Sequence, residues 1–170
     1  MSATDPRKNK VQPTTQKITT FLWFDNNAEE AVNFYLSVFK NAKILKTARY
    51  GEVGPGPKGS VMTIDFELDG QRFFALNGGP TFKFNEAISL MILCETQEEI
   101  DYFWEKLSEG GQKIECGWLK DKFGLAWQVA PAMWPELMSA GGEKSDRAMA
   151  AMMKMKKLDI AELQRAAEGK

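Results

Sequence analysis

A chain of 170 residues with 44% apolar and 26% charged residues lies in the globular range, able to bury one sizeable core or two small modules that share one. Lys and Arg number 22 against 23 Asp and Glu, and the resulting net charge of −1 gives no field to gather a polyanion, which excludes nucleic acid as an expected partner. No apolar run approaches the roughly 18 residues needed to cross a bilayer, and residues 1–10 are too polar for a secretory signal peptide, so a cytoplasmic protein without a membrane partner is expected.

Residues 1–16 carry Pro6 and Pro13 in a Lys/Asn/Thr/Gln-rich mixture without periodicity and read as a flexible lead-in. Residues 18–24 are rich in β-branched and aromatic side chains and stop at Asp25-Asn26-Asn27, which are turn and helix-cap residues. This predicts a strand leading into a helix. From Ala28 onward, Ala31, Phe34, Tyr35, Val38 and Phe39 recur at spacings of three and four, and Glu29 and Glu30 occupy the first turn, where the helix dipole favours negative charge. The period then falls towards two, predicting strands at 42–50 and 60–68 around a Gly/Pro loop at 51–59, with Asp69-Gly70 as the hairpin signal into a strand at 71–77. Module one, residues 17–80, therefore spells β-α-β-β-β.

Module two, residues 86–131, repeats the order: a strand at 87–94, a cap at Thr96, a helix at 97–108, and strands near 112–117, 118–120 and 125–129. The segment from Asp25 to Phe34 lies over that from Cys94 to Phe103 with Glu29 on Glu98, an offset of 69 residues that indicates internal duplication. The tail, residues 132–170, reads as two short helices and a loop. Its methionines, among them Met149, Met152, Met153 and Met155, are expected to pack on the tail's own domain or on a partner subunit. The fold class is α+β: tandem βαβββ modules forming a curved mixed sheet, with a helical C-terminal tail.

The chain has no histidine, which removes Ser-His-Asp, Cys-His and histidine-metal sites together. Its two cysteines, Cys94 and Cys116, stand in separate apolar segments without CxxC spacing and read as free thiols. Asp65 and Glu67 share one strand face, and a solvated face explains that alternation more simply than acid/base work. The 51–59 loop follows no strand-to-helix turn and lacks a P-loop Lys-Ser/Thr ending, so it reads as a mobile loop over a cleft, not a phosphate cradle.

The strings Phe21-Leu22-Trp23-Phe24-Asp25, Ala28-Glu29-Glu30-Ala31, Ala75-Leu76-Asn77-Gly78-Gly79-Pro80, Phe82-Lys83-Phe84-Asn85 and Gly117-Trp118-Leu119-Lys120-Asp121-Lys122-Phe123-Gly124 resemble the PhnB-like family of the vicinal-oxygen-chelate (glyoxalase/bleomycin-resistance) superfamily. The resemblance extends to Met155-Lys156-Lys157-Leu158-Asp159-Ile160 in the tail. It implies two modules around a cleft, and metal-dependent relatives place ligands on the first and last strands of each module. Those positions fall here at Thr20, Ser89, Gln128 and within residues 73–77. They offer only neutral oxygens, where Zn, Fe or Ni sites want imidazole, thiolate or carboxylate, so no metal and no cofactor is expected.

A small organic ligand is the expected partner, bound by Thr20, Leu22, Phe24, Asn77, Ser89, Met91, Trp118 and Gln128, with Leu93 on the same wall as Ser89 and Met91. Strand parity counted from Thr20 and Gln128 sends Trp23 and Trp127 to the helix-packed face instead. Exposed sheet edges add the expectation of a homodimer. The competing readings are an enzyme of the same superfamily, metal-dependent or using carboxylates such as Asp65 and Glu67, and a methyltransferase. The family's label, 3-demethylubiquinone 3-methyltransferase, implies the last. The sequence lacks a G-x-G loop between strand and helix that would hold S-adenosylmethionine.

Overall fold

The computed structural model describes residues 16–170. The flexible lead-in expected over 1–16 lies outside the described residues except for Gln16, and Gln16 is tied down. Its side-chain amide accepts from Arg72 N at 3.1 Å and donates to Arg72 O at 3.2 Å.

Module one consists of β1 (Thr20–Phe24), α1 (Ala28–Val38), β2 (Ala42–Arg49), β3 (Val61–Leu68) and β4 (Gln71–Asn77). Module two consists of β5 (Ser89–Cys94), α2 (Gln97–Ser108), β6 (Gln112–Lys113), β7 (Trp118–Lys120) and β8 (Ala126–Pro131). The strands make two four-stranded sheets instead of one, in the orders β1-β4-β3-β2 and β5-β8-β7-β6. In each, the first strand pairs in parallel with the last and the remaining pairs are antiparallel. Helices cover one face of each sheet, so the architecture is α+β.

The helices form where periodicity and capping agree. Ala28, Ala31, Val32, Tyr35 and Val38 line the buried side of α1. In α2 the Thr96 hydroxyl accepts from Glu99 N at 3.2 Å, and the Glu99 carboxylate accepts from Glu95 N at 2.7 Å, so both orphan donors are satisfied. At α1 the expected local cap does not form, because the Asn27 side chain makes no capping bond. Asn77, at the end of β4, supplies the acceptor instead, taking Ala28 N at 2.8 Å.

One apolar cluster spans both modules. The helix-facing side chains of the first sheet, Leu22, Phe24, Ile64, Phe66, Phe73 and Ala75, are continuous through α1 and α2 with Leu119, Trp127 and Val129 of the second. At its centre the Asp121 carboxylate is 3% exposed and accepts four hydrogen bonds: from Tyr35 Oη at 2.8 Å, Trp127 Nε1 at 2.9 Å, Phe123 N at 2.9 Å and Leu125 N at 3.0 Å. Burial is the largest influence on Asp121 and holds its pKa above the ordinary carboxylate value against the pull of those bonds. Burial, followed by the Asp121 charge, holds the Tyr35 phenol well above its own.

The tail forms three helices where two were expected: α3 (Trp134–Ala140), α4 (Gly142–Met152) and α5 (Ile160–Glu168). They enclose a second small core of Ala130, Leu158 and Leu163 with Met133, Met152 and Met155. Backbone bonds from Cys116 N to Met155 O and from Gly117 N to Lys156 O, 2.8 and 2.7 Å, fasten the tail to its own second module. Among the described residues no helix is long and apolar enough to cross a membrane.

Removing one donor from Asp121 by Tyr35→Phe should cost about 1.5–3 kcal/mol of unfolding free energy in denaturant titration, and Asp121→Asn should cost more, because its amide would confront donors. The raised Asp121 pKa makes its stabilising contribution complete below the ordinary carboxylate range and lost as pH rises through the folded value. The stability difference between wild type and Asp121→Asn should therefore narrow as pH rises across that interval.

Candidate functional site

Strand alternation assigns each side chain to the helix-packed face or the open face of its sheet. In module two the expected parity holds. Met91 registers with Gln128, and Gln128 with Trp118, so Ser89, Met91, Leu93, Trp118 and Gln128 stand on the open face, while Trp127 packs beneath the helix and is 2% exposed. The Gln128 Nε2 donates to Ser89 Oγ at 2.8 Å. Lys120, next along that face, pairs with Glu86, and this hydrogen bond holds the Glu86 carboxyl below its usual pKa.

In module one the expected parity is reversed. Leu22 and Phe24, expected in the cleft, are buried in the core with α1. Trp23, expected beneath the helix, stands on the open face with Phe21, and their register partners on β4 are Leu76 and Phe74 respectively. The physical reason is one residue between strand and helix. The helices start at Ala28 and Gln97, 69 apart, whereas the strands end at Phe24 and Cys94, 70 apart. Projecting a strand position through the helix offset crosses that extra residue and turns every side chain over.

Thr20 shares the Leu22 face but sits at the strand's beginning, where it reaches a groove between the modules. This groove, about 440 Å³, runs along the outer edge of β5 and is walled by Thr20, Phe39, Phe73, Ser89, Met91 and Leu93, with Asp69 and Gln71 at one end. The structure thus brings Thr20 and Ser89 to one hollow. Asn77 does not reach it: besides capping α1, its Nδ2 donates to Val61 O at 3.0 Å, and its own carbonyl accepts from Tyr50 Oη at 2.6 Å. An Asn ending a strand one residue before Gly-Gly reads equally well as a turn, so sequence offered no sign of this capping across 49 residues.

The carboxylates offered as alternative chemistry are committed elsewhere. Asp65 is 6% exposed, not solvated, and forms a bidentate pair with Arg72, while Glu67 pairs with Lys43. The Gly/Pro loop is packed: the Tyr50 ring fills it so closely that a Cβ on Gly56 would lie 2.3 Å away. Burial and then the Glu99 charge push the Cys94 thiol up to about 12, so it is no nucleophile at neutral pH. Among the described residues no group of three His, Cys, Asp or Glu could hold a metal. The superfamily's metal positions do not fit one either, since Ser89 and Gln128 bond each other and both ends of the Asn77 amide are engaged.

Two βαβββ modules with this strand order define a protein of the glyoxalase/bleomycin-resistance fold. The chain belongs to the family described as 3-demethylubiquinone-9 3-methyltransferase, whose model matches residues 16–130. That match ends short of the tail motif at 155–160. The PhnB protein of Bacillus cereus, which carries the same description, is 43% identical, with 67% of this chain and 98% of that one covered and a TM-score of 0.62. At the level of fold alone, the chain resembles a Pseudomonas aeruginosa protein (18% identity, TM-score 0.58, 69% and 98% covered) and the fosfomycin resistance protein FosX of Listeria monocytogenes (15%, 0.51, 72% and 95%). No curated protein matches the chain.

Replacing Asn77 by Ala should lower stability by about 1–2 kcal/mol through the lost cap. Thermal denaturation checks this, and Asn77→Asp, which keeps the acceptor for Ala28 N, should recover part of the loss.

Proposed function

We propose that this protein binds a small, uncharged organic molecule without a metal, in the groove along β5, and that it works as a homodimer. The observation that carries the reading is the 2.8 Å hydrogen bond from Gln128, which stands just outside the groove's lining, to Ser89, which is part of it. It uses one amide proton and one hydroxyl lone pair, leaving the Gln128 Oε1 as an acceptor and the Ser89 hydroxyl as a donor for a ligand. Around them Met91, Leu93 and Phe73 give an apolar lining, and 440 Å³ lies within the usual range for small-molecule sites.

The dimer follows from the faces. Both modules turn their helix-packed sides inward to one core, leaving the open faces without cover among the described residues, with Phe21 55%, Met91 46% and Leu93 49% exposed. A second copy laid on these faces would close the groove and bury them. For the methyl transfer in the family's description, the β1–α1 turn Asp25-Asn26-Asn27 provides no glycine for close approach of a nucleotide cofactor.

Elemental analysis after dialysis should find no stoichiometric Zn, Ni, Fe or Mn; one retained equivalent would overturn the metal-free reading. Light scattering should give twice the 19.1 kDa chain mass at micromolar concentration. For a ligand found by thermal-shift screening, Ser89→Leu and Gln128→Leu should each weaken binding about tenfold in calorimetry, the equivalent of about 1.4 kcal/mol. Unchanged affinity in both variants would remove the groove from consideration.

A further inference from the structure

At the opposite end of β1 a separate hollow of about 290 Å³ is lined by Trp23, Asp25, Phe82, Lys83, Phe84 and Phe123. The Trp23 and Phe82 rings meet edge to face, with centroids 4.9 Å apart and planes at 80°, and so form a corner of two perpendicular aromatic walls. Three hydrogen bonds hold that corner. Gly78 N donates to Phe24 O and Gly79 N to Asp25 O, both at 2.9 Å, and Trp23 Nε1 donates to Gly79 O at 2.8 Å. A Cβ on Gly78 would lie 2.4 Å from the indole, so glycine is what lets this turn rest against the ring. Phe82 is 61% exposed although the core lies close by. On the far wall, the Phe123 ring already carries a cation, with Lys122 Nζ 5.1 Å from its centroid. Neither the Asp25 nor the Lys83 side chain has a hydrogen-bond or ion-pair partner among the described residues.

We propose that this hollow binds a small methylated ammonium, with Trp23 and Phe82 against its methyl groups and the Asp25 carboxylate as counter-charge. A quaternary ammonium spreads its charge over methyl groups that water solvates poorly and aromatic faces attract, and a nearby carboxylate adds the long-range term. Lys83 on the rim provides a partner for a carboxylate on the same molecule. A betaine therefore suits the hollow better than a bare tetraalkylammonium. This site is independent of the β5 groove.

The test is a titration of the full chain with glycine betaine and with 3,3-dimethylbutanoate, its isosteric analogue with carbon in place of the cationic nitrogen. The Trp23 indole N–H, assigned through Trp23→Phe, is followed by ¹H–¹⁵N NMR. Betaine should shift that resonance saturably, and the carbon analogue should bind at least about fivefold more weakly, the factor one cation–π contact supplies. Asp25→Asn and Phe82→Ala, both at exposed positions, should each weaken betaine about fivefold while leaving the melting temperature unchanged. Equal binding of the carbon analogue, no saturable shift with betaine, or undiminished binding in both variants would overturn the proposal.

Discussion

The fold turns on one buried carboxylate. Asp121 belongs to the short turn between β7 and β8, yet its oxygens accept from a helix of the other module, from an indole of its own sheet and from two backbone amides of its own turn. An uncompensated charge at such a position would cost several kcal/mol, and each donor offsets part of that cost only if it arrives with correct geometry. Satisfying Asp121 therefore fixes α1 against the second sheet. Tyr35, Trp127, Phe39 and Phe123 fill the space around it with tilted and edge-to-face contacts.

The position of every candidate site follows from that constraint. With the helix-packed faces turned inward, the open faces and the outermost strands are what the chain can offer a ligand or another copy. Of the four edge strands, β2 and β5 differ sharply in chemistry. Edge strand β2 carries Lys43 and Lys46 and an irregularity between Ile44 and Lys46, features that deter further strand pairing. Strand β5, Ser89–Cys94, has no charged residue and no such break, and the groove runs beside it. The unprotected apolar edge of β5 also lies next to the Ser89–Gln128 pair, which leaves one donor and one acceptor free.

Duplication produced two modules with the same topology and different chemistry. At the end of the last strand, module one carries Asn77, spent on capping α1 and holding Val61, where module two leaves β8 to run on into Pro131 beside Cys94. On the open faces, module one presents aromatic side chains and a bidentate Asp65–Arg72 pair, and module two presents Ser89, Gln128 and methionine. Neither set resembles the ligand shell of a transition metal, in accord with a chain that contains no histidine.

The order of strands and helices within the two modules, the Thr96 cap, the Asp69-Gly70 hairpin and the family were all legible in the sequence. Each rests on interactions between residues near in the chain, or on a repeat that compares local patterns. Strand parity was legible in module two, where it was counted from Gln128, and not in module one, where Thr20 was reached by counting back from the helix start. A period of two tolerates no error, and one extra residue between Phe24 and Ala28 was enough to bury Leu22 and Phe24 and turn Trp23 outward. What tertiary structure alone decided is the set of partners distant in sequence. Asn77 caps a helix that begins 49 residues earlier, and Asp121 meets a tyrosine 86 residues away. Side-chain hydrogen bonds of this kind have no period and no local signature, because their geometry exists only after the two modules have packed.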